Sequence, residues 1–217
     1  MLRIQTFTFN PFQENTYVIS DSEGHAAIID PGNYESSENQ LLVDYIREEN
    51  LKPELLLNTH CHIDHVLGNA FVKRTFGISL WIHEQESPVL NSAKVFAPNY
   101  GFARYEATEP DGYLTENQII QIGNERLKVL FVPGHAPGHV VFYHEPSKQC
   151  IGGDTLFRGS IGRTDLPGGN HDLLLKKIKS ELFTLPEETI IYPGHGPTTT
   201  IGFEKEYNPF VGKKATF

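Results

Sequence analysis

Three histidines and one aspartate fall within six residues in the stretch THCHIDHVLG, which spans Thr59–Gly68. His60 and His62 are separated by one residue, so at the end of a strand their side chains point to the same side. Asp64 and His65 follow directly and can face a second point close by. A buried structural histidine accounts for one such residue, whereas four ligand-type residues together indicate a metal site.

Three later segments repeat one pattern, in which an apolar strand is followed by a glycine-containing turn and a ligand-type residue. They are LFVPGHAPGH with His135 and His139, IGGDTLF with Asp154, and IIYPGHGP with His195. Imidazole and carboxylate groups suit zinc, with iron and manganese as alternatives. The candidate ligands are therefore His60, His62, Asp64, His65, His135, Asp154 and His195. This set exceeds one tetrahedral site and predicts two divalent metal ions that share a carboxylate and a water.

The composition fits one globular domain. The chain has 217 residues, of which 39% are hydrophobic, and a formal net charge of −9. This acidic balance predicts no nucleic-acid partner, because phosphates require a basic surface. We also predict no membrane partner and a cytoplasmic location, because no apolar run could span a bilayer or serve as a signal peptide. Two cysteines, Cys61 and Cys150, are too few for a disulfide framework.

The elements that must position these residues alternate between strands and helices. Apolar runs such as NTYVIS, AAIIDPG and ELLLNTH predict strands in the first half of the chain. KVLFVPGH, VVFYHE and TIIYPGHG predict strands in the second half. Each half also carries helices, so we predict an α+β protein in which two mixed sheets pack together with helices outside.

Three local predictions concern the surroundings of the site. Ser37 and Gln40 are predicted to form the capping box of a first helix. A second helix is predicted over residues 64–76, ended by Gly77. Residues 86–118 have weak periodicity, so they form either a long surface loop or a lid over a site.

The motifs THCHIDH, PGHAPGH, GGDTLF and YPGHG, in this order, resemble those of the metallo-β-lactamase-fold hydrolases. Among these, the chain most resembles the small glyoxalase II-like (hydroxyacylglutathione hydrolase-like) proteins, from NPFQENTYVI to PGHGPTTTIGFEKEYNPF. The resemblance implies a four-layer αβ/βα sandwich in which residues 1–217 form a single domain. The C-terminal helical domain that binds glutathione in larger relatives is expected to be absent.

The resemblance also implies how the candidate ligands divide between two metals. The first metal would be held by His60, His62 and His135. The second metal would be held by Asp64, His65 and His195. Asp154 would bridge the two, and the carboxylates of Asp64 and Asp154 would take part in catalysis. His139 and Asp30 would support the ligands by hydrogen bonds.

The activity implied by the resemblance is hydrolysis of small thioesters of the S-lactoylglutathione type. A hydroxide held between the metals would attack the thioester carbonyl, and a thiolate would leave. Arg158 and Arg163 would bind a carboxylate of this small-molecule substrate, because arginine offers paired donors. Asp154 stands where many zinc β-lactamases have a cysteine, which argues against an antibiotic as the substrate.

Several alternatives stay open at this point. A mononuclear iron persulfide dioxygenase is one, because the GRTD motif recurs in that branch of the fold. A nuclease or lactonase of the same fold would use the same ligands. A non-enzyme alternative is a metal-stabilised binding protein, although a structural zinc site needs only four protein ligands.

Overall fold

A computed structural model describes residues 2–213 and residue 215. The described chain divides into two compact units. The first comprises the chain up to Leu114 together with Gln121–Arg126, and the second comprises Thr115–Ile120 together with the chain from Leu127 onward. Among the described residues, no helix combines the length and the apolar character needed to cross a membrane.

The first unit contains a six-stranded mixed sheet, whose strands follow chain order. They are β1 (Arg3–Phe9), β2 (Glu14–Ser20), β3 (His25–Ile29), β4 (Lys52–Leu57), β5 (Ser79–His83) and β6 (Gly112–Leu114). The strands β1, β2 and β3 pair antiparallel, and β3 to β6 pair parallel. Every residue of β2 is buried, so this strand is covered on both of its faces.

Four helices belong to the same unit. They are α1 (Ser36–Glu48), α2 (Ile63–Val66), α3 (Asn69–Phe76) and α4 (Ser87–Phe96). Helix α1 buries Leu42 and Ile46, which are four residues apart and therefore on one face. Both side chains join a core cluster with Leu56 and Leu80 from the sheet.

The capping box of α1 is formed by Glu35 and Glu38, so the predicted pair Ser37 and Gln40 is wrong. The Glu38 carboxylate accepts the backbone N–H groups of Tyr34 (2.8 Å) and Glu35 (3.0 Å). A carboxylate can accept two such donors and also favours the positive end of the helix dipole, which places the helix start two residues earlier.

The single helix predicted over residues 64–76 is also wrong, because the chain breaks at Gly68 into α2 and α3. The backbone N–H of Gly68 donates to the carbonyl of Pro31 (2.7 Å). A Cβ at this position would lie 2.2 Å from Oδ1 of Asn33, so only glycine permits the approach. Asp64 and His65 consequently sit on a separate short helical turn, which the approach at Gly68 ties to the end of β3.

Residues 86–118 hold more regular structure than their weak periodicity indicates. They contain α4, a 3₁₀ turn over Ala97–Tyr100 and the edge strand β6. Phe102 is buried and packs edge-on against Tyr34, with ring centroids 5.0 Å apart. Buried aromatic contacts thus order a segment that has no periodic apolar pattern.

A second six-stranded mixed sheet carries most of the second unit. Its strands, in sheet order, are β14 (Thr199–Thr200), β13 (Ile190–Pro193), β10 (Gln149–Gly153), β9 (Val140–His144), β8 (Glu125–Phe131) and β7 (Ile119–Ile122). Strand β10 pairs parallel with β13, whereas β9 pairs antiparallel with both β8 and β10. The prediction of an α+β protein with two mixed sheets is confirmed.

A small hairpin and two helices complete the second unit. The hairpin consists of β11 (Leu156–Phe157) and β12 (Ser160–Ile161). Helix α5 (His171–Lys177) continues into a wider π-helical turn over Ile178–Leu182, and α6 (Ile201–Tyr207) follows β14. Leu174, Ile178 and Leu182 are buried in one cluster, as their helical spacing predicts.

Candidate metal centre

Three loops of the first unit leave neighbouring parallel strands at the same edge of the sheet. Asp30 follows β3, the histidine-rich loop over residues 58–62 follows β4, and Glu86 lies in the turn after β5. The carboxyl ends of parallel strands meet at one edge, where functional groups collect. The topology therefore brings two acidic side chains from distant sequence positions to the histidine-rich loop.

The four candidate ligands of the first unit lie close together. His60 and His65 are fully buried, and their ring centroids are 4.2 Å apart. His62 is partly exposed, and its ring centroid lies 4.8 Å from that of His60. Nε2 of His65 is 3.6 Å from Oδ2 of Asp64. Three imidazoles and one carboxylate thus share one small volume, as the sequence predicts for this segment.

Asp30 fixes the orientation of two of these histidines. Its carboxylate accepts the backbone N–H (2.7 Å) and the hydroxyl (2.6 Å) of Thr59, and Nδ1 of His65 lies 3.2 Å away. Because the Thr59 hydroxyl donates to Asp30, its oxygen can accept from Nδ1 of His60, which is 3.1 Å away. Both imidazoles then carry their proton on Nδ1 and keep Nε2 for a metal.

These hydrogen bonds support the predicted bracing role of Asp30. One ligand atom from each of Asp30, His60 and His65 lies within 4.8 Å of the others, which by distance alone could describe a metal site. However, both carboxylate oxygens of Asp30 already accept hydrogen bonds from Thr59. The hydrogen bonds to Thr59 thus favour the supporting role over that of a ligand, and this assignment stays a prediction.

Two buried glutamates next to the loop are not predicted from the sequence. Oε2 of Glu86 accepts the backbone N–H of Cys61 (2.7 Å), which is the residue between His60 and His62. Glu14 is fully buried with Oε1 3.8 Å from Nδ1 of His65, and burial raises its pKa well above the ordinary value. The position of Glu14 at the start of a buried strand marks it as a candidate functional residue, whereas no local pattern indicates Glu86.

The second unit places one carboxylate between two histidines. Oδ2 of Asp154 lies 3.6 Å from Nε2 of His135 and 3.6 Å from Nε2 of His195. His135 is buried and Asp154 is nearly so, whereas His195 is partly exposed. A single oxygen equidistant from two imidazole nitrogens is the geometry expected of a shared ligand.

Hydrogen bonds also orient this second set. Nδ1 of His135 donates to the backbone carbonyl of Arg163 (2.7 Å), which leaves Nε2 for a metal. The backbone N–H of Asp154 donates to Nε2 of His139 (3.0 Å). His139 therefore contacts the main chain of a candidate ligand, which supports its predicted role as a supporting residue.

The two predicted substrate-binding arginines both have protein partners. The Arg163 guanidinium forms two hydrogen bonds with the carboxylate of Asp165 (2.7 and 2.8 Å), and this pairing lowers the pKa of Asp165 to about 2. The Arg158 guanidinium lies over the ring of Phe203, 5.4 Å from its centroid. Substrate binding by either arginine stays a prediction.

The donor chemistry of both units fits a divalent metal. Imidazole and carboxylate groups are the ligands of zinc, iron and manganese, and each unit supplies both kinds. Cys61 and Cys150 are buried free thiols, and burial raises the pKa of each above its ordinary value. Neither thiol is a thiolate at neutral pH, so a soft sulfur-ligated site is not supported.

Comparison with known proteins agrees with this chemistry. A family model described as the metallo-β-lactamase superfamily matches residues 9–195. Hydroxyacylglutathione hydrolase GloC of Haemophilus influenzae is 37% identical over 216 residues, which cover 99% of this chain and 100% of that protein.

Two solved structures are similar as well. The BLEG-1 B3 metallo-β-lactamase has a TM-score of 0.88 and 36% identity, covering 96% of this chain and 99% of that one. TTHA1623 in a di-iron-bound form has a TM-score of 0.85 and 37% identity, covering 95% of this chain and 99% of that one. These similarities confirm the predicted metallo-β-lactamase fold class.

The buried thiols lead to a simple prediction. Cys61 and Cys150 should not react with Ellman's reagent in the folded protein at about pH 8, because burial keeps them protonated and inaccessible. Both should react in guanidinium chloride. Rapid reaction of either thiol in the folded state would contradict the described burial.

The substitution Asp30→Asn should weaken Zn²⁺ binding about 10–100-fold, measured by competition with a chelator. An amide cannot accept hydrogen bonds at both positions, so Thr59 and His65 lose their fixed orientation. The matched control is Asp21→Asn, because Asp21 is also buried and accepts three backbone N–H groups away from the loop. Equal zinc affinities in the two variants would refute the bracing role.

Proposed function

Because the chain belongs to the metallo-β-lactamase superfamily and is a metallohydrolase, we propose that it hydrolyses small thioesters of the S-lactoylglutathione type. The observation that carries the proposal is the position of the Asp154 carboxylate, one oxygen of which lies 3.6 Å from Nε2 of both His135 and His195. A shared carboxylate of this kind suits a pair of ions and thereby the hydrolysis of an activated carbonyl. The similarity to a protein named hydroxyacylglutathione hydrolase favours a thioester as that carbonyl compound.

The proposed assignment divides the candidate ligands between two metals. One metal would be held by His60, His62 and His135. The other would be held by Asp64, His65 and His195. Asp154 would be a ligand of both. This assignment rests on family membership, on the order of the motifs and on the imidazole and carboxylate chemistry of each set.

The proposed reaction needs no side-chain nucleophile. When bound, two divalent ions supply an acidified water and a positive charge for the carbonyl oxygen. Cys61 and Cys150 take no part, because both are buried and protonated. The Asp64 carboxylate is partly exposed, with 14% of its side-chain surface accessible. One of its oxygens would hold a metal, and the other would accept the proton of the attacking water. As the C–O bond forms the C–S bond breaks, and the leaving thiolate takes up this proton. During the reaction, Asp30 keeps the proton of His60 and of His65 on Nδ1, so that Nε2 of each ring can bind a metal.

Substrate recognition is assigned to the loop that follows Asp154. Arg163 binds a substrate carboxylate by exchanging its exposed Asp165 partner, because a salt bridge at the surface contributes little stability. Arg158 lies on the same loop and adds positive charge. An anionic thioester such as a glutathione conjugate fits this charge, whereas a neutral thioester would gain nothing from it.

Hydrolysis of a β-lactam is the second candidate function. It is favoured by one observation, the 36% identity to a protein named BLEG-1 B3 metallo-β-lactamase over nearly the whole of both chains. The strained amide of a β-lactam would be attacked by the same water as a thioester. The persulfide dioxygenase reaction differs from both, because it would use one iron and consume oxygen.

Metal quantification combined with a substrate panel tests the proposal. Protein purified without added metal should hold about two divalent ions per chain, and the same protein loaded with Zn²⁺ after chelation should again hold about two. It should hydrolyse S-lactoylglutathione faster than a β-lactam, and chelation should abolish the activity. A single iron with persulfide-dependent oxygen uptake would refute the proposal in favour of the dioxygenase, and faster β-lactam turnover would favour the second candidate.

The shared-ligand role of Asp154 leads to a comparison of two variants. Asp154→Ala should reduce the metal content to at most one ion per chain and lower kcat/KM well beyond 100-fold, because it removes a ligand of both ions. His139→Ala should retain both ions and lose about 10–100-fold in metal affinity, because the His139 ring accepts the backbone N–H of Asp154 and is not itself assigned as a ligand. Equal losses in the two variants would contradict the bridging assignment.

A further inference from the structure

The hairpin β11–β12 lies next to two candidate ligands, Asp154 and His135. It begins two residues after Asp154, and it ends just before Arg163, whose carbonyl accepts the Nδ1 proton of His135 (2.7 Å). The backbone N–H of Gly162 donates to the carbonyl of Thr155 (3.2 Å), which closes the base of the hairpin. A displacement of the hairpin would therefore change the orientation of the Asp154 carboxylate and of the His135 ring.

The base of the hairpin also packs tightly against both ligands. A Cβ on Gly162 would lie 1.9 Å from the carbonyl oxygen of Asp154 and 3.0 Å from Nδ1 of His135. No other residue could occupy this position without displacing the backbone of one ligand or the ring of the other. The contact leaves little freedom between the hairpin and the ligands.

The tip of the hairpin is held by the C-terminal helix α6. Both carboxylate oxygens of Glu204 accept the backbone N–H of Gly159 (3.2 and 3.1 Å). Nδ2 of Asn208 donates to the carbonyl of Ser160 (3.0 Å) and to Oε2 of Glu204 (2.7 Å). The hydroxyl of Thr199 also donates to Glu204. One side chain from α6 and one just after it thus bind Gly159 in the turn and Ser160, the first residue of β12.

Burial makes this network strong. Glu204 and Asn208 are both fully buried, and Thr199 is nearly so. A buried carboxylate is costly unless several donors satisfy it, and Glu204 receives donors from three residues. On the same helix, the ring of Phe203 lies under the Arg158 guanidinium, which adds a third link to the hairpin.

This network accounts for a motif that the proposed function does not use. The segment TTTIGFEKEYN places Thr199, Glu204 and Asn208 five and four residues apart. The last two lie one helical turn apart and therefore face the same side. All three side chains are buried, and their polar groups bind the hairpin or each other.

We infer that Glu204 is a positioning residue which, together with Asn208, holds the β11–β12 hairpin so that Asp154 and His135 keep their metal-binding geometry. The inference rests on the metal-binding part of the proposed function and not on the identity of the substrate. Its consequence is that the helix after the last candidate ligand sets metal affinity without contacting a metal.

The test compares Glu204→Gln with Glu206→Gln in the full-length protein. Glu206 lies on the same helix, where it pairs with Lys213 on the surface (2.8 Å), so the control has the same chemical change away from the hairpin. Zn²⁺ affinity is measured by chelator competition, and Co²⁺ absorption reports the ligand geometry. Glu204→Gln should weaken metal binding about 10–100-fold and alter the Co²⁺ spectrum, while Glu206→Gln should leave both unchanged.

Urea unfolding of the metal-free proteins separates positioning from simple stabilisation. A lower urea midpoint with unchanged metal affinity and Co²⁺ spectrum in Glu204→Gln would overturn the inference, as would equal losses of affinity in both variants. Asn208→Ala removes the Ser160 bond while keeping Glu204, and it serves as the second test if Glu204→Gln does not fold. It should likewise weaken metal binding, and unchanged affinity would overturn the inference.

The outcome does not depend on the substrate. If the wild type binds metal, fails to hydrolyse thioesters and still loses affinity through Glu204→Gln, the thioesterase proposal fails and the positioning role holds. If thioesters are hydrolysed and Glu204→Gln binds metal as the wild type does, the positioning role fails and the proposed function stands. A wild type that binds no metal would overturn both.

Discussion

The conformation of the histidine-rich loop depends on the hydrogen bonds that the Asp30 carboxylate accepts. One buried acid holds Thr59 at two atoms, contacts His65 directly and reaches His60 through the Thr59 hydroxyl. Leaving any of these buried groups without a partner would cost about 1–3 kcal/mol each, so the network has one favoured arrangement. That arrangement assigns the tautomer of two imidazoles before any ion binds.

In the second unit, other groups fix the orientation of the candidate ligands. A backbone carbonyl, from Arg163, takes the place of the acid and fixes His135. A histidine ring, from His139, receives the backbone N–H of Asp154. His60, His65, His135 and Asp154 are each oriented by a hydrogen-bonding partner, and such preorganisation lowers the ordering cost of metal binding.

Local patterns make the candidate ligands readable from the sequence. The run from His60 to His65 and the glycine-flanked His135, Asp154 and His195 identify themselves by residue type and spacing. The α+β class with two mixed sheets and the metallo-β-lactamase fold are confirmed, because strand and helix periodicities and ordered motifs are properties of single segments. The ligand roles stay a prediction, because they depend on metal binding.

Long-range partners explain what the sequence does not reveal. Glu86 binds the backbone of Cys61 from 25 residues away, and Glu204 binds Gly159 from 45 residues away. Each is an ordinary glutamate in its local context, and only the fold gives it a buried backbone donor. The break at Gly68 is missed for a similar reason, since the Gly68 N–H donates to the carbonyl of Pro31, 37 residues away in the chain, where a continuous helix would have an internal hydrogen bond.

We propose above that Asp154 is a ligand of two metal ions. A crystal structure of the Zn²⁺-loaded protein, with anomalous differences measured on both sides of the zinc absorption edge, tests it most directly. We expect two anomalous peaks per chain, with the Asp154 carboxylate bound to both ions and with His135 and His195 on different ions. A single peak, or two peaks of which only one contacts Asp154, would contradict it.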